Sequence, residues 1–476
     1  MRMILLVVPF LLSLFVAWAR HRVVNRVALL GTGAIYLAVV TSWWCSWDLD
    51  LEPAWLAGYF TVDPLGLFFL TVMVLVFLGS AVYSLAYFQE QKLSPGREAA
   101  YIAVMLLFVL AMTGVLLANH LALLWVFVEA TTLTSALLIY FERKKSSLEA
   151  TWKYIFICSV GIALAFVGII ILSMGSQSIG SLFFADLYLR AGEINPFWLK
   201  MAFAFIIVGF GTKIGVAPMH AWLPDAHSEA PSPVSALLSG ALLNSTFLGL
   251  LRVQEIMIRA QQQEFANFLL LLLGFLSLLI SAAFMLNIVN YKRMLAYSSI
   301  ENMGILFIGI SLGKTGIYAA LLHSVAHSLA KGALFLTSGN ILHLYGSKQV
   351  ADIRGLLQRD PPTGWIWLIS LFAIAGLPPF PTFLSKFLLV QAFFTAGQGW
   401  LSAPFLLFLL LIIFGMGSAV VAMTFGAAPA QAPGKIPLNL FAYGPQIIML
   451  LVLLAIGLQI PAPVQAMLKN AAGFFH

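Results

Sequence analysis

Gly211-Thr212-Lys213-Ile214-Gly215-Val216-Ala217-Pro218-Met219-His220-Ala221-Trp222-Leu223-Pro224-Asp225-Ala226-His227 sets a lysine and a proline inside a long apolar run. A lysine at the centre of a lipid-spanning helix costs about 2.5–3.5 kcal/mol on insertion scales, so it needs a partner, water or a purpose. Pro218 removes a helix hydrogen bond just beyond it, freeing carbonyls that only a protein interior or a water-lined cavity satisfies. A buried charge beside a broken helix is how membrane transporters build an ion site. The stretch therefore predicts a polytopic helical protein with an ion site inside the membrane.

The rest of the chain agrees. It has 476 residues, 61% hydrophobic and 9% charged, with a mean hydropathy of +0.98. Soluble domains carry about 25% charged residues, so an all-α bilayer protein is expected. Apolar runs long enough to span recur about fourteen times: 3–19, 24–43, 64–88, 100–118, 120–140, 152–174, 198–218, 233–251, 267–289, 294–312, 317–344, 364–395, 402–426 and 441–460. No stretch remains for a sizeable soluble domain.

The basic residues set a topology. With the N-terminus outside, fifteen of the 25 Lys and Arg residues, from Arg20 to Lys435, fall in inner loops and seven in outer ones. The other three, Lys213, Lys331 and Lys386, lie within helices. This bias predicts both termini outside, together with the acidic loop of Asp48, Asp50 and Glu52. The net charge of +7 is thus a topology signal and does not point to nucleic acid. Residues 3–19 end in Ala17-Trp18-Ala19, which resembles a signal-peptidase site. Arg20, Arg22 and Arg26 follow it while Arg2 alone precedes it, opposite to a secretory signal, so a retained helix is expected. Cys45 and Cys158 are too few for a disulfide framework, an iron–sulfur cluster or a structural zinc site, so no redox cofactor or metal is expected in this chain.

No linker divides the sequence. The longest polar interruptions are 89–99, 141–152, 345–363 and the Pro/Gly/Ala-rich 426–439, read as a loop. One internal echo stands out: Gly215-Val216-Ala217-Pro218-Met219-His220-Ala221-Trp222-Leu223 against Gly376-Leu377-Pro378-Pro379-Phe380-Pro381-Thr382-Phe383-Leu384. Both have Gly, then Pro three residues later, then an aromatic–Leu pair, and each has a nearby lysine, Lys213 or Lys386. Interrupted helices at matching places in two halves point to an inverted repeat; the alternative is chance, because Gly and Pro are common in membrane helices.

Other ionisable groups sit in apolar segments. Glu129 is near the middle of its run, where an isolated carboxylate would be driven neutral. Pairing with Lys213 would keep both charged, either as a proton-linked pair or as a static salt bridge. His323, His327 and Lys331 are four residues apart, which stacks them along one helix stripe of about 12 Å. Such a row could pass protons through water, since histidine exchanges them near neutral pH. The two histidines could instead bind a metal, or make ordinary polar contacts. Lys386, past the second break, is the natural terminal site. Glu301 is expected closer to a helix end, either facing the inner water layer or joining the relay. Lys153 is expected to set topology or to reach the Glu129 region. His220, His227, Asp225 and Glu229 mark an inner edge where a proton could enter, although Asp225 could equally cap a helix.

Together these residues resemble the antiporter-like, proton-translocating membrane subunits of complex I and membrane-bound hydrogenases, over roughly 60–400. The most specific stretch runs from Lys213 to Ser239. Val128-Glu129-Ala130-Thr131-Thr132-Leu133, with Trp152-Lys153-Tyr154, is most similar to hydrogenase-4 component F. The resemblance implies about fourteen transmembrane helices with two inverted five-helix repeats and broken seventh and twelfth helices at Pro218 and Pro378-Pro379. The corresponding divisions are 1–99, 100–251, 267–426 and 441–476. It further implies a polar axis from Glu129 and Lys213, through His323, His327 and Lys331, to Lys386. Where many relatives carry Lys or His in the eighth helix, this chain has Asn244, which cannot carry a proton alone; a water-bridged gap is the expectation. The chain ends soon after its last apolar run, so an inner or stand-alone module is expected.

The implied partners are other antiporter-like membrane subunits and a peripheral redox module, in which any Fe–S clusters and NiFe site would reside, in a bacterial or archaeal cell membrane. Two other functions remain open on sequence: a Na⁺/H⁺ antiporter subunit, and the membrane subunit of an inorganic-carbon uptake complex.

Overall fold

In hydrocarbon every backbone N–H and C=O must find its partner within the chain, which favours helices. The computed structural model, which describes residues 3–46, 56–427 and 439–475, is helical throughout, with three isolated β-bridges among the described residues. Arg2, the acidic loop of Asp48, Asp50 and Glu52, Lys435 and most of the 426–439 loop lie outside the described residues. Every expected apolar run falls on helix. Among the described residues, eleven helices are long and apolar enough to cross a membrane. Ile4–Ala19 and Pro361–Ala375 are shorter, and Gly444–Leu458 with Ala462–Ala472 forms a pair bent by 79°.

Local chemistry sets the ends. Asp63, Ser94, Asn195 and Asp360 each accept a hydrogen bond from a first-turn N–H and precede a proline at the start of their helix. That is the preferred arrangement of a polar cap followed by a residue that has no N–H to waste. Both breaks begin with a left-handed glycine, Gly215 at φ 82° and Gly376 at φ 87°, a conformation that a side chain resists. The first break separates Pro196–Ile214 from Trp222–Glu229, and the second separates Pro361–Ala375 from Pro381–Thr395. Each contains a cis peptide bond, Ala217–Pro218 and Pro378–Pro379.

Packing sorts the helices into two classes. The apolar windows of Ser232–Arg259 and Gly313–Tyr345 are wholly buried, whereas those of Lys145–Gly175, Gln263–Met285 and Gly399–Thr424 are only 39% buried. Asn244, His323, His327 and Lys331 ride on the central class, out of reach of lipid. Close approach in this setting depends on small residues. A Cβ on Gly161 would stand 2.6 Å from Thr212, and one on Gly209 would stand 2.6 Å from the Gly161 carbonyl. This seam sets the helix that ends in Lys213 tightly against the one that carries Tyr154.

Candidate ion-translocation axis

Lys213 lies in the last turn before the first break, fully buried. Its ammonium donates to the Tyr154 hydroxyl at 2.5 Å and to Thr132 Oγ1 at 2.9 Å, and it sits 4.7 Å from the centre of the Tyr154 ring. Thr132 in turn donates to Glu129 Oε2 at 3.2 Å, while Ser159 donates to Glu129 Oε1 at 3.0 Å. The direct Glu129–Lys213 ion pair considered from sequence is therefore replaced by a threonine-bridged link. Glu129 stands on a half-buried face of Leu121–Ile139, one threonine away from the lysine. The Tyr154 hydroxyl also shares a 2.6 Å hydrogen bond with Ser135. Trp222, beyond the break, donates to the Thr212 carbonyl at 2.8 Å and packs 4.9 Å from Tyr154.

Between the halves, the central helix opens into a π-helical turn over Leu238–Leu242, a distortion frequent at functional sites. Ser239 in this turn shares a 2.8 Å hydrogen bond with Ser299. One turn on, Asn244 donates to Ser328 Oγ at 2.6 Å, and its buried amide oxygen has no protein partner. Both ring nitrogens of His327 and of His227 are likewise buried without a protein hydrogen bond. His227 stacks on Phe335 at 5.0 Å. Buried polar atoms left open in this way are where internal water belongs.

The second half gathers around the other break. His323, His327 and Lys331 share the Gly313–Tyr345 helix and are all fully buried, as the spacing predicts. His323 is held from two sides, Nδ1 by Ser385 Oγ at 2.8 Å and Nε2 by Asn302 Oδ1 at 2.9 Å. Lys331 donates to the Leu295 carbonyl at 2.6 Å. Lys386 lies 3.4 Å from Glu301 Oε1 and donates to the Ala375 carbonyl at 3.1 Å, one of the acceptors left open where the Pro361–Ala375 helix stops. Glu301 is thus corrected: it is buried in mid-helix as the counter-charge of Lys386, not at a water-facing end.

Of the two expectations for Lys153, contact with the Glu129 region is not met. It does not reach Glu129 but bonds Asp225 at 3.1 Å and Glu149 at 2.7 Å, on the wall of an open polar cleft of about 460 Å³. Asp225 also pairs with Arg293, and Glu229 pairs with Lys348 at 2.8 Å. Burial alone would raise the Glu229 carboxyl, but hydrogen bonds from Lys348 and Ser146 outweigh it and hold it below the ordinary carboxylate range. His220 is half-buried nearby, its ring 6.5 Å from Tyr297. Asp225 is a charged cleft residue here, with no capping bond of its own.

Several participants escaped the sequence reading. Thr132, Tyr154, Ser159, Asn302 and Ser385 are neutral, and their only signal is a polar residue beside a charged one in an apolar run. Two cations assigned to loops are buried: Lys292, donating to the Ala230 carbonyl at 3.1 Å, and Arg252, 2.8 Å from Asp63. Among the described residues no three His, Cys, Asp or Glu side chains gather as a metal site, and the two histidine nitrogens of His323 are committed to Ser385 and Asn302.

Comparison with known proteins identifies the family and the fold. Residues 118–415 match the family model described as NADH:quinone oxidoreductase/Mrp antiporter, transmembrane. The chain is 34% identical to the Hydrogenase-4 component F homolog of Methylacidiphilum infernorum (isolate V4) over 347 residues, 71% of this chain and 73% of that protein. A chain of the archaeal membrane-bound sulfane sulfur reductase, a respiratory membrane complex, superposes with a TM-score of 0.89 at 22% identity, covering 99% of this chain and 97% of that one. A chain of Thermus thermophilus respiratory complex I with bound aureothin gives 0.81 at 25% identity, covering 98% and 99%. A multi-pass helical bundle with buried lysines at two broken helices and this match over more than half its length belongs to the NADH:quinone oxidoreductase/Mrp antiporter transmembrane family, as an antiporter-like subunit.

Proposed function

We propose that this chain carries protons across the membrane of a bacterium or archaeon, as one subunit of a redox-driven complex. The observation that carries the reading is the pair of buried lysines at the two breaks. Each is linked to one carboxylate: Lys213 to Glu129 through Thr132, and Lys386 to Glu301 directly. Between them lie two buried histidines and Lys331, with open hydrogen-bonding positions at Asn244 and His327. Three buried lysines make poor scaffolding, since buried ion pairs often add little net stability.

In this mechanism a partner shifts the charge balance at Glu129. Thr132 relays the change to Lys213 by trading a hydrogen bond, and Lys213 yields a proton toward Asn244 and His327. Lys331 and His323 pass charge to the Lys386–Glu301 pair, which releases it. The polar cleft at Lys153, Asp225 and Glu229 is the uptake side. The equivalent placement of Lys213 and Lys386 beside glycine-initiated breaks supports inverted repeats over 100–251 and 267–426, with both termini outside. Partners of the kind the resemblance implies, antiporter-like membrane subunits and a redox module with its own Fe–S and NiFe cofactors, would supply the energy. Moving one charge against 100 mV takes about 2.3 kcal/mol, within reach of electron transfer.

The test is proton uptake by proteoliposomes holding the purified native complex. Lys213→Ala should abolish acidification while the driving reaction and assembly persist; undiminished acidification would overturn the reading. A strict Na⁺ requirement would move the assignment to the Na⁺/H⁺ antiporter branch, to which relatives named Na⁺/H⁺ antiporter subunits A and D belong.

A further inference from the structure

His323 is held in a way that decides which of its two nitrogens can carry traffic. Asn302 faces Nε2 with its amide oxygen, at 2.9 Å. The amide cannot be turned around, because its Nδ2 donates to the Ser298 carbonyl at 2.5 Å, and a flip would set two oxygens against each other. An acceptor fixed at Nε2 requires that Nε2 keep its hydrogen whether the ring is neutral or charged. The opposite nitrogen meets a hydroxyl, which is both donor and acceptor. Ser385 Oγ lies 2.8 Å from Nδ1 and 3.0 Å from the Thr382 carbonyl. Its hydrogen can therefore point at either one. With the ring neutral, Ser385 donates to Nδ1; with the ring charged, Nδ1–H donates to Ser385, whose own hydrogen swings to Thr382. Both charge states are fully hydrogen-bonded with no movement of heavy atoms, as a satisfied buried polar network requires.

On the reading of this chain as a proton carrier, we propose that His323 loads and unloads its mobile proton at Nδ1 alone, through the Ser385 hydroxyl, with Asn302 as the positioning residue that keeps Nε2–H out of the exchange. Uptake moves the Ser385 hydroxyl proton onto Nδ1 and refills Ser385 Oγ from a water or ammonium donor; release reverses both steps, and the Nε2–H bond is broken in neither. The exchange therefore takes place on the side of the second break. Nδ1 faces the Pro381–Thr395 helix, which carries both Ser385 and Lys386. Ser385 and Thr382 also belong to the second break, where Thr382 donates to the Ala373 carbonyl and Lys386 to Ala375. Charging His323 thus tightens Ser385 onto the first turn after the break, while its positive charge opposes the one on Lys386. On the Asn302 side the first group is an amide, which cannot carry a proton, although Ser298 and Glu301 lie beyond it, the Ser298 hydroxyl 3.4 Å from Glu301 Oε2.

Two experiments on the native complex test this. In the first, the complex is grown with ¹⁵N-histidine and studied by solid-state NMR, the His323 signal being assigned by its loss in His323→Gln. A neutral ring protonated on Nε2 is expected, with a mixture of tautomers in Asn302→Leu. A neutral ring protonated on Nδ1, or an unaltered tautomer in Asn302→Leu, would overturn the proposal. This readout does not depend on transport. In the second, proton uptake is measured in proteoliposomes. Ser385→Ala should slow it by about 100-fold, the lower end of what a positioned proton-transfer group contributes. Ser385→Thr should retain uptake and Ser385→Val, of the same shape, should not. Normal uptake in Ser385→Ala, or equal loss in the Thr and Val variants, refutes the hydroxyl relay. Normal uptake in Lys213→Ala would instead remove the proton-carrier reading itself and leave the NMR result standing.

Discussion

Lys213 and Lys386 look equivalent in sequence, yet their replacement by methionine should have very unequal consequences for stability. Lys386 Nζ is 3.4 Å from Glu301 Oε1, with side chains 10% and 4% exposed. Removing one partner of a buried pair strands the other charge, at about 3–5 kcal/mol. Loss of the bond to the Ala375 carbonyl adds about 1 kcal/mol. Lys213 touches only neutral hydroxyls, and those keep partners without it: Tyr154 retains Ser135, and Thr132 retains Glu129. Removing its buried charge also relieves a desolvation penalty, so Lys213→Met should change stability by no more than about 1 kcal/mol. The assay is thermal unfolding of the purified complex, followed by fluorescence and by retention of this chain in native gels. Lys386→Met should unfold well below wild type and Lys213→Met close to it. Adding Glu301→Gln to Lys386→Met should recover more than half of the loss, because the stranded charge is then gone. Equal losses in the two lysine variants, or a double variant no better than Lys386→Met, would refute the assignment of Glu301 as the partner.

Gly215→Ala should be costly at the first break, because φ is +82° and the new Cβ would stand 2.2 Å from Leu223 Cδ1; we expect about 1–3 kcal/mol lost in thermal unfolding, together with slowed transport. Asp225→Asn removes the carboxylate that gathers Lys153 and Arg293 at the cleft. Uptake should slow about ten-fold, with stronger salt dependence in wild type than in the variant, as for a cleft that focuses charge. Glu229 is held below the ordinary carboxylate range, against its burial, by Lys348 and Ser146. Its stabilising contribution is therefore complete above about pH 4.3 and lost as pH falls through its lower folded value. The stability gap between wild type and Glu229→Gln should hold constant near neutrality and close in acid; a gap that widens on acidification would reverse the sign.

The charged members of the site were legible because a lysine or glutamate in an apolar run has no cheap explanation in lipid. Lys213, Glu129, Lys331 and Lys386 stood out on that ground alone, and a spacing of four residues put His323 and His327 on the stripe of Lys331. Glu301 was misjudged because its neighbours Ser298, Ser299 and Asn302 give its helix a polar, edge-like appearance. In the fold those same polar groups face inward, toward His323, the Ser239 turn and Lys386. For Lys153 the sequence leaves two readings open, topology or reach to Glu129, because it does not tell which way the side chain points. Adjacent helical residues point to different faces, and this one points to Asp225 and Glu149. Lys292 and Arg252 counted as loop charges because they flank apolar runs. Only their neighbours, Ala230 and Asp63, reveal burial.

The sequence by itself determined that this is a helical membrane bundle, because 61% hydrophobic residues in spanning-length runs have no other solution. It also determined where the helices break, because Gly and Pro act locally on the backbone. Pairing was beyond it. Whether Lys213 meets Glu129 or Thr132, which carboxylate answers Lys386, and which nitrogen of His323 faces a fixed acceptor depend on contacts between residues up to 85 positions apart. Those contacts are set by helix rotation and by the glycine seams that govern approach. A periodic pattern tells which residues face inward, and only the packed bundle tells what they face.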